Sequence, residues 1–268
     1  MTPKISKKLI KMGAAAVLLT VFLPIGTLSA EIIRHKNGEL VSQSGTIYLI
    51  QDNQRYGFRS AGEFLSWGYR FDMVLPATRA DMALPMNGTM KARAGTLALD
   101  TADGKTIYLV FDDGARAISA DSVFIFSLFD GRQFFPVDLS NYPKGPAAGF
   151  DLIYYQHPTG ALINDNGTIY LITSEGRAAF PSEAVFRSHG FEFNMAQENN
   201  YEDAKLPLAP VLKYRDGTLV NDNGTIFLIS EGKKYGFKTW QAFLAGGYNL
   251  SAAISASIAD YPEGESFE

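Results

Sequence analysis

The sequence predicts a mainly β protein with short helices, built as four β-β-β-α repeat units that pack into a compact propeller-like ring or a short array. Three observations predict it. A six-residue apolar string recurs four times, hairpin-turn signals flank it, and a helix-like spacing of Ser or Thr, Phe and Gly follows it. The string is Gly45-Thr46-Ile47-Tyr48-Leu49-Ile50, then Lys105-Thr106-Ile107-Tyr108-Leu109-Val110, Gly167-Thr168-Ile169-Tyr170-Leu171-Ile172 and Gly224-Thr225-Ile226-Phe227-Leu228-Ile229. Its aromatic column falls at 48, 108, 170 and 227, at spacings of 60, 62 and 57.

Each unit opens with Gly-x-Leu or Gly-x-Ala at Gly38, Gly95, Gly160 and Gly217. That leader, a polar turn and the string read as two strands of a tight hairpin. Asn166-Gly167 and Asn223-Gly224 suit a turn whose central residues need positive φ. The second strand is apolar at nearly every position, which predicts burial on both faces. A second turn (Asp52-Asn53, Asp113-Gly114, Glu175-Gly176, Glu231-Gly232) leads into a third strand ending at Phe58, Ile118, Phe180 or Phe237.

The period then changes from two to nearly four. Ser60, Ser182 and Thr239 are helix N-caps, and Ser60 with Glu63 reads as a capping box. Phe64, Phe186 and Phe243 sit four residues later on the face a two-turn helix buries. Gly68, Gly190 and Gly247 stand where left-handed C′ residues belong, followed by Tyr69, Phe191 and Tyr248. Acidic tails ending in Leu84-Pro85, Tyr142-Pro143, Leu206-Pro207 and Tyr261-Pro262 close the units. The second copy is degenerate: it lacks the closing Gly and carries Phe124, Phe126, Phe129, Phe134 and Phe135. The expected limits are 31–88, 89–146, 147–210 and 211–268. Such a unit cannot cover both faces of its own sheet, so neighbours must pack on one another.

Residues 1–30 read as a secretory signal peptide. Lys4, Lys7, Lys8 and Lys11 precede an apolar run from Met12 to Ile25, and small residues end at Ala30. The alternative is an uncleaved anchor, since Met12 to Ala30 approaches the length of a membrane span. No other stretch is apolar enough to span. An exported chain without cysteine fits a bacterial surface protein better than a small secreted animal domain.

Composition removes several function classes. An apolar share of 46% supports a real core, and zero cysteines exclude disulfides, thiolate metal sites and cysteine nucleophiles. Beyond residue 30 there are 20 basic against 28 acidic side chains, which argues against a nucleic-acid partner. His35, His157 and His189 lie in no metal-ligand spacing, and His189 reads as a surface residue at a helix end. There is no Gly-x-Ser-x-Gly elbow, phosphate loop or His-Glu-x-x-His. Asn164-Asp165-Asn166-Gly167 and its copy at 221–224 cluster oxygen donors but lack the closing acid of a calcium loop, and read as turns. Asp112-Asp113, Asp121, Glu183 and Glu202-Asp203 could serve a divergent hydrolase, yet they fall in turns and tails of repeating units. The expectation is therefore no catalytic residue, no metal and no cofactor.

Cations follow the second turn at Arg55, Arg116, Arg177 and Lys233-Lys234, with Tyr56 and Tyr235 next in two copies. With Trp67, Tyr69 and Tyr248 as stacking platforms they form a candidate binding surface; ordinary hairpin charge beside core aromatics is the competing account. Written from residues 217–264, the motif Gly-Thr-Leu-Val…Gly-Thr-Ile-Phe-Leu-Ile…Gly-Lys-Lys-Tyr-Gly-Phe…Phe-Leu-Ala-Gly-Gly-Tyr…Tyr-Pro-Glu-Gly resembles tandem repeats of secreted bacterial proteins, found alone or appended to cell-wall-acting proteins. Its cadence is loosely similar to hemopexin-like propeller blades, without the cysteines that close such rings. The resemblance implies an exported surface module with no catalytic residues to transfer. The expected partner is a cell-envelope polymer or a surface protein, with membrane contact only through a retained signal segment. The alternative is a structural element of an envelope complex.

Overall fold

The computed structural model describes residues 34–118, 134–147 and 156–268. The signal segment, Asp121, Phe124, Phe126 and Phe129 lie outside the described residues. Within 32–268, a single compact unit, four sheets follow the four repeats.

In the first repeat, β1 (Leu40–Gln43), β2 (Thr46–Gln51) and β3 (Gln54–Phe58) form the expected antiparallel meander. The same triplet recurs as β6 (Leu97–Asp100), β7 (Ile107–Phe111) and β8 (Gly114–Ala117). It recurs again as β10 (Leu162–Asp165), β11 (Thr168–Thr173) and β12 (Gly176–Ala179), and as β14 (Leu219–Asp222), β15 (Thr225–Ser230) and β16 (Lys233–Gly236). Asn166 and Asn223 both take φ 51 at the hairpin tips, as the turn chemistry requires. Asn164 and Asn221 accept the backbone N–H of Gly167 and Gly224 at 2.9 and 2.8 Å, so these oxygens complete turns. The second strands are less enclosed than their composition suggests. Leu49 and Ile50 are buried but Thr46, Ile47 and Tyr48 only half so, because that end of β2 projects toward the hairpin tip.

The helices are α1 (Ala61–Ser66), α3 (Glu183–Ser188) and α5 (Trp240–Ala245). Ser60, Ser182 and Thr239 cap them through side-chain oxygens, and Gly68, Gly190 and Gly247 follow at φ 71, 73 and 77. Phe64, Phe186 and Phe243 are nearly fully buried, each meeting Phe58, Phe180 or Phe237 edge to face at 5.1–5.3 Å. The predicted capping box at Ser60 is only half made. Glu63 turns instead to the Arg59 amide and guanidinium and accepts from the Tyr142 hydroxyl at 3.2 Å. True capping boxes close two short helices the sequence left unassigned, α2 (Arg79–Met82) at Thr78/Asp81 and α4 (Tyr201–Ala204) at Asn200/Asp203.

A short fourth strand extends the β-β-β-α unit. β4 (Val74–Pro76), β9 (Phe135–Val137), β13 (Gln197–Glu198) and β17 (Ile254–Ser255) each lie parallel to the first strand of their own unit, in spatial order 4-1-2-3. Two or three residues are too few for any periodicity to announce them. β5 (Met86–Met90) runs across the 88/89 limit and pairs with β3; single bridges at Ala115–Lys144, Arg177–Leu208 and Lys234–Glu263 repeat that pairing. The Pro column sits just before it. The carbonyls of Pro85, Pro143, Pro207 and Pro262 accept from Arg55, Ala115, Arg177 and Lys234 at 2.8–3.0 Å, using the one polar backbone group proline retains.

The fourth strands are where the units join. α1 packs on β9 of unit two and α3 on β17 of unit four. Phe243 and Tyr248 of unit four share a core cluster with Leu75 on β4 of unit one. Units two and three meet where Gly95 faces Gly160. Unit four thus returns to unit one, and the assembly closes as a ring rather than an array. Units one and three also touch across the middle: a Cβ on Gly190 would lie 2.1 Å from the Gly68 carbonyl oxygen.

Gly190→Ala therefore adds a clash across the ring to its positive-φ strain and should cost roughly 3 kcal/mol or more. Gly167→Ala meets nothing within 4 Å and should cost only the strain, about 1–2 kcal/mol. Urea midpoints of the two variants check this; equal losses would contradict a packed centre.

Candidate functional site

The middle of the ring is built from residues 122 apart. Ser66, Trp67 and Gly68 end α1, and Ser188, His189 and Gly190 end α3. Arg93 of unit two and Arg215 of unit four stand at matching positions, each two residues before a leading Gly. Arg93 donates to the Ser66 carbonyl at 3.1 Å, and also to the carbonyls of Ala94 and Gly160. Arg215 donates through Nη1 to the Trp67 carbonyl at 2.6 Å and the His189 carbonyl at 3.3 Å. A helix C-terminus presents unsatisfied carbonyls and partial negative charge, so a guanidinium there is favourable.

That compensation is incomplete. Among the described residues no carboxylate lies within ion-pair reach of Arg93 or Arg215. Burial, together with the repulsion of Arg215, holds Arg93 down at about 10, and burial with Arg70 lowers Arg215. Aromatic faces support both: Arg93 lies 4.9 Å from the Phe191 centroid and Arg215 4.2 Å from that of Tyr69. His189 is the third basic group here, not the surface residue its helix-end position suggested. It is half-buried, bonded to the Lys213 carbonyl at 2.9 Å, and burial keeps it at about 4, hence neutral.

The predicted binding residues do not form one surface. Arg55 and Arg177 lie 5.1 and 5.2 Å from the centroids of Tyr48 and Tyr170, and Lys234 5.3 Å from that of Phe227. These cations pack on the aromatic column of their own sheets. Arg177 also pairs with Asp165 at 2.9 Å and Lys234 with Glu263 at 3.2 Å, while Lys233 is exposed. Tyr56 bonds Gln54 at 3.0 Å and Trp67 the Lys91 carbonyl at 2.8 Å. Tyr235 is buried under Lys36, 4.2 Å from its centroid. Tyr69 and Tyr248 share a cavity, a cleft where units one, three and four meet, with about 70 Å³ of water-accessible space. The carboxylates considered for hydrolysis are engaged locally: Asp113 with Arg116, Glu183 with Arg187, Glu202 with Lys205 and Asp203 with His157.

Sequence reasoning missed the two His–Asp pairs. His35 lies 2.7 Å from Asp81 and His157 2.6 Å from Asp203, and in each pair the His amide also donates to that carboxylate. The shared separation of 46 residues, repeated at an offset of 122, was the available signal. Both pairs tie the start of a half to a capping-box helix. Burial opposes charge on His35, yet its bond to Asp81 and the field of Glu39 outweigh this and raise it. Burial likewise opposes charge on Asp81, and the His35 bond prevails to lower it. Burial raises Glu39, which accepts from the Tyr248 hydroxyl at 2.8 Å across the seam between units four and one.

No protein-family model and no curated protein matches the chain. Among solved structures it is similar to the periplasmic assembly from the ESX-5 inner membrane complex, at 14% identity and TM-score 0.18, over 86% of this chain and 66% of that one. It is also similar to a chain of an intact ESX-5 inner membrane complex, at 13% identity and TM-score 0.19, over 88% of this chain and 58% of that one. The chain spans about three fifths to two thirds of those chains, and likeness at this level carries no function across.

A raised His35 stabilises the fold below its ordinary value of 6.5, and that contribution is lost as pH rises through the folded value. A lowered Asp81 stabilises above 3.8, and that part is lost on acidification. The His35 contribution is therefore present near pH 5.5 and lost near pH 8, while His189, held at about 4, acts in the opposite direction, so His35→Gln should lower the urea midpoint more at pH 5.5 than at pH 8. Asp81→Asn, which leaves the histidine without its buried partner, should cost about 3–5 kcal/mol at pH 5.5.

Proposed function

We propose that the protein is an exported, non-catalytic ring that binds a component of the bacterial cell envelope, a wall polymer, glycan or surface protein, through its outward face. Export rests on the charged, apolar and small-residue segments of 1–30. The observation that carries binding is an apolar position exposed again and again. Phe71, Phe193 and Leu250 begin the short 3-10 helices after the closing Gly in three units, and are 57%, 49% and 47% exposed. Large apolar side chains held at one repeated exposed position are contact residues rather than core. Phe71 and Phe193 are held flat, stacked at 4.9 Å on Phe64 and Phe186. Trp240 adds a further exposed ring, stacked on Phe243 at 4.8 Å.

A non-catalytic role agrees with where the polar groups go. His35 and His157 are committed to Asp81 and Asp203, and the strand cations to their own aromatics. Rigid aromatic faces contribute contact area at small entropic cost, which suits recognition of an extended polymer.

The test is co-sedimentation of the purified protein with isolated cell-wall sacculi across a salt series. Pelleting should survive high salt, because apolar contact is not screened. The double change Phe71→Ser with Phe193→Ser should release most of the protein to the supernatant while its melting temperature moves little. Wild-type protein left in the supernatant would end the wall-binding reading and direct the search to a protein partner.

A further inference from the structure

The cleft between units one, three and four has a floor that the fold alone does not account for. Arg215 uses only Nη1, on the carbonyls of Trp67 and His189, leaving Nε and Nη2 without a partner among the described residues. These nitrogens are not sealed in the interior, since Arg215 lines the cleft. The guanidinium carbon lies 4.2 Å from the Tyr69 ring centroid, so the charged head is held against that ring. Tyr69 lines the same cleft, and Arg70 and Arg187 stand on its rim.

The acids on the walls do not neutralise Arg215. Asp72 is taken by Arg70 through two bonds, at 3.0 and 3.2 Å. Glu39 is taken by the Tyr248 hydroxyl and the Lys36 amide. Asp216 is turned to the backbone N–H groups of Glu231 and Gly232. Arg187 is matched by Glu183 and Glu192, at 2.6 and 3.4 Å. Arg215 thus keeps a positive charge, an open fork of donors and no counter-ion. A fork held open in a cleft is the geometry that receives a carboxylate or phosphate by paired N–H···O bonds.

We propose that this cleft is a binding site for one oxyanion, a carboxylate or phosphate group, received by Nε and Nη2 of Arg215. The space of about 70 Å³ accommodates roughly five water positions at ~15 Å³ each, room for a single such group. The body of the protein is acidic beyond residue 30, with 20 basic against 28 acidic side chains, which repels a polyanion. The ligand is therefore a molecule bearing an isolated acidic group. The site deepens the envelope-binding reading, but it stands on Arg215 and not on the exposed aromatics.

Isothermal titration of the full chain with sodium phosphate, and separately with sodium acetate, at ionic strength fixed by chloride, tests it. Saturable binding of either anion supports the site: phosphate alone assigns a phosphorylated ligand, acetate alone a carboxylated one. Arg215→Lys keeps the charge but loses the fork, and should weaken binding about tenfold. Arg70→Gln with Arg187→Gln removes two rim cations and leaves Asp72 unpaired on the wall, and should weaken it comparably without touching the floor; it decides the matter if the lysine variant does not fold. Lys105→Gln, on a distant hairpin, should change nothing. No saturable heat with either anion, or an equal loss in Lys105→Gln, would overturn the proposal. Oxyanion binding without sacculus pelleting would sink the wall reading and keep the site, and pelleting without oxyanion binding would do the reverse.

Discussion

Among the described residues, α1, α3 and α5 are each packed against the following unit, and that dependence governs the rest of the structure. A two-turn helix such as α1 or α3 has too few hydrogen bonds to stand alone in water, so its stability comes from packing. One face is covered by its own third strand, through Phe58 against Phe64 or Phe180 against Phe186. The other is covered by the fourth strand of the following unit, β9 for α1 and β17 for α3. A head-to-tail contact of this kind either propagates or closes. Here it closes, because the cluster around Phe243 and Tyr248 of the last unit takes in Leu75 of the first.

Closure brings backbone into the middle, where only glycine fits. Gly68 meets Gly190, and Gly38 meets Asp216 and Gly217, at separations a Cβ would violate. Glycine's freedom at φ 71–88 and its lack of a side chain are both needed there. The same approach gathers the carbonyl ends of α1 and α3, and the two arginines are the response to that concentration of acceptors. The ring is therefore less symmetric than four equal repeats. Its centre follows an offset of 122 residues, pairing Arg93 with Arg215 and His35 with His157, so it reads as two halves of two units. The halves differ at one telling point. Glu39 of the first half, bonded to Tyr248, has Ala161 as its counterpart, so the buried carboxylate at the seam between units four and one has no equivalent between units two and three.

Much of this was legible in the sequence. The Asn-Gly tips, the Ser and Thr caps, the buried Phe column and the left-handed Gly after each helix were all found where local rules put them. Those rules act within four or five residues, and a repeat states them four times over. What escaped was short or remote. β13 and β17 are two residues each and exist because an adjacent strand supplies their hydrogen bonds. Glu63 had the spacing of a capping box but met a guanidinium and a tyrosine hydroxyl, and the stronger partners took it. Trp67, Tyr235 and Tyr248, chosen as accessible aromatics, are committed to Lys91, Lys36 and Glu39 because the neighbouring unit or the incoming chain covers them.

The sequence alone determined the core of the unit: its first three strands, their turns, the capped helix and the number of copies, since each depends on contacts between residues close along the chain. Only the tertiary structure decided that the copies close into a ring and which unit's fourth strand buries which helix. It alone placed at the centre two guanidiniums bonded to backbone carbonyls, with no carboxylate partner among the described residues. Those outcomes depend on residues in different units, such as Arg215 and Trp67, whose meeting is fixed by the sum of small rotations between successive units and is written in no local pattern.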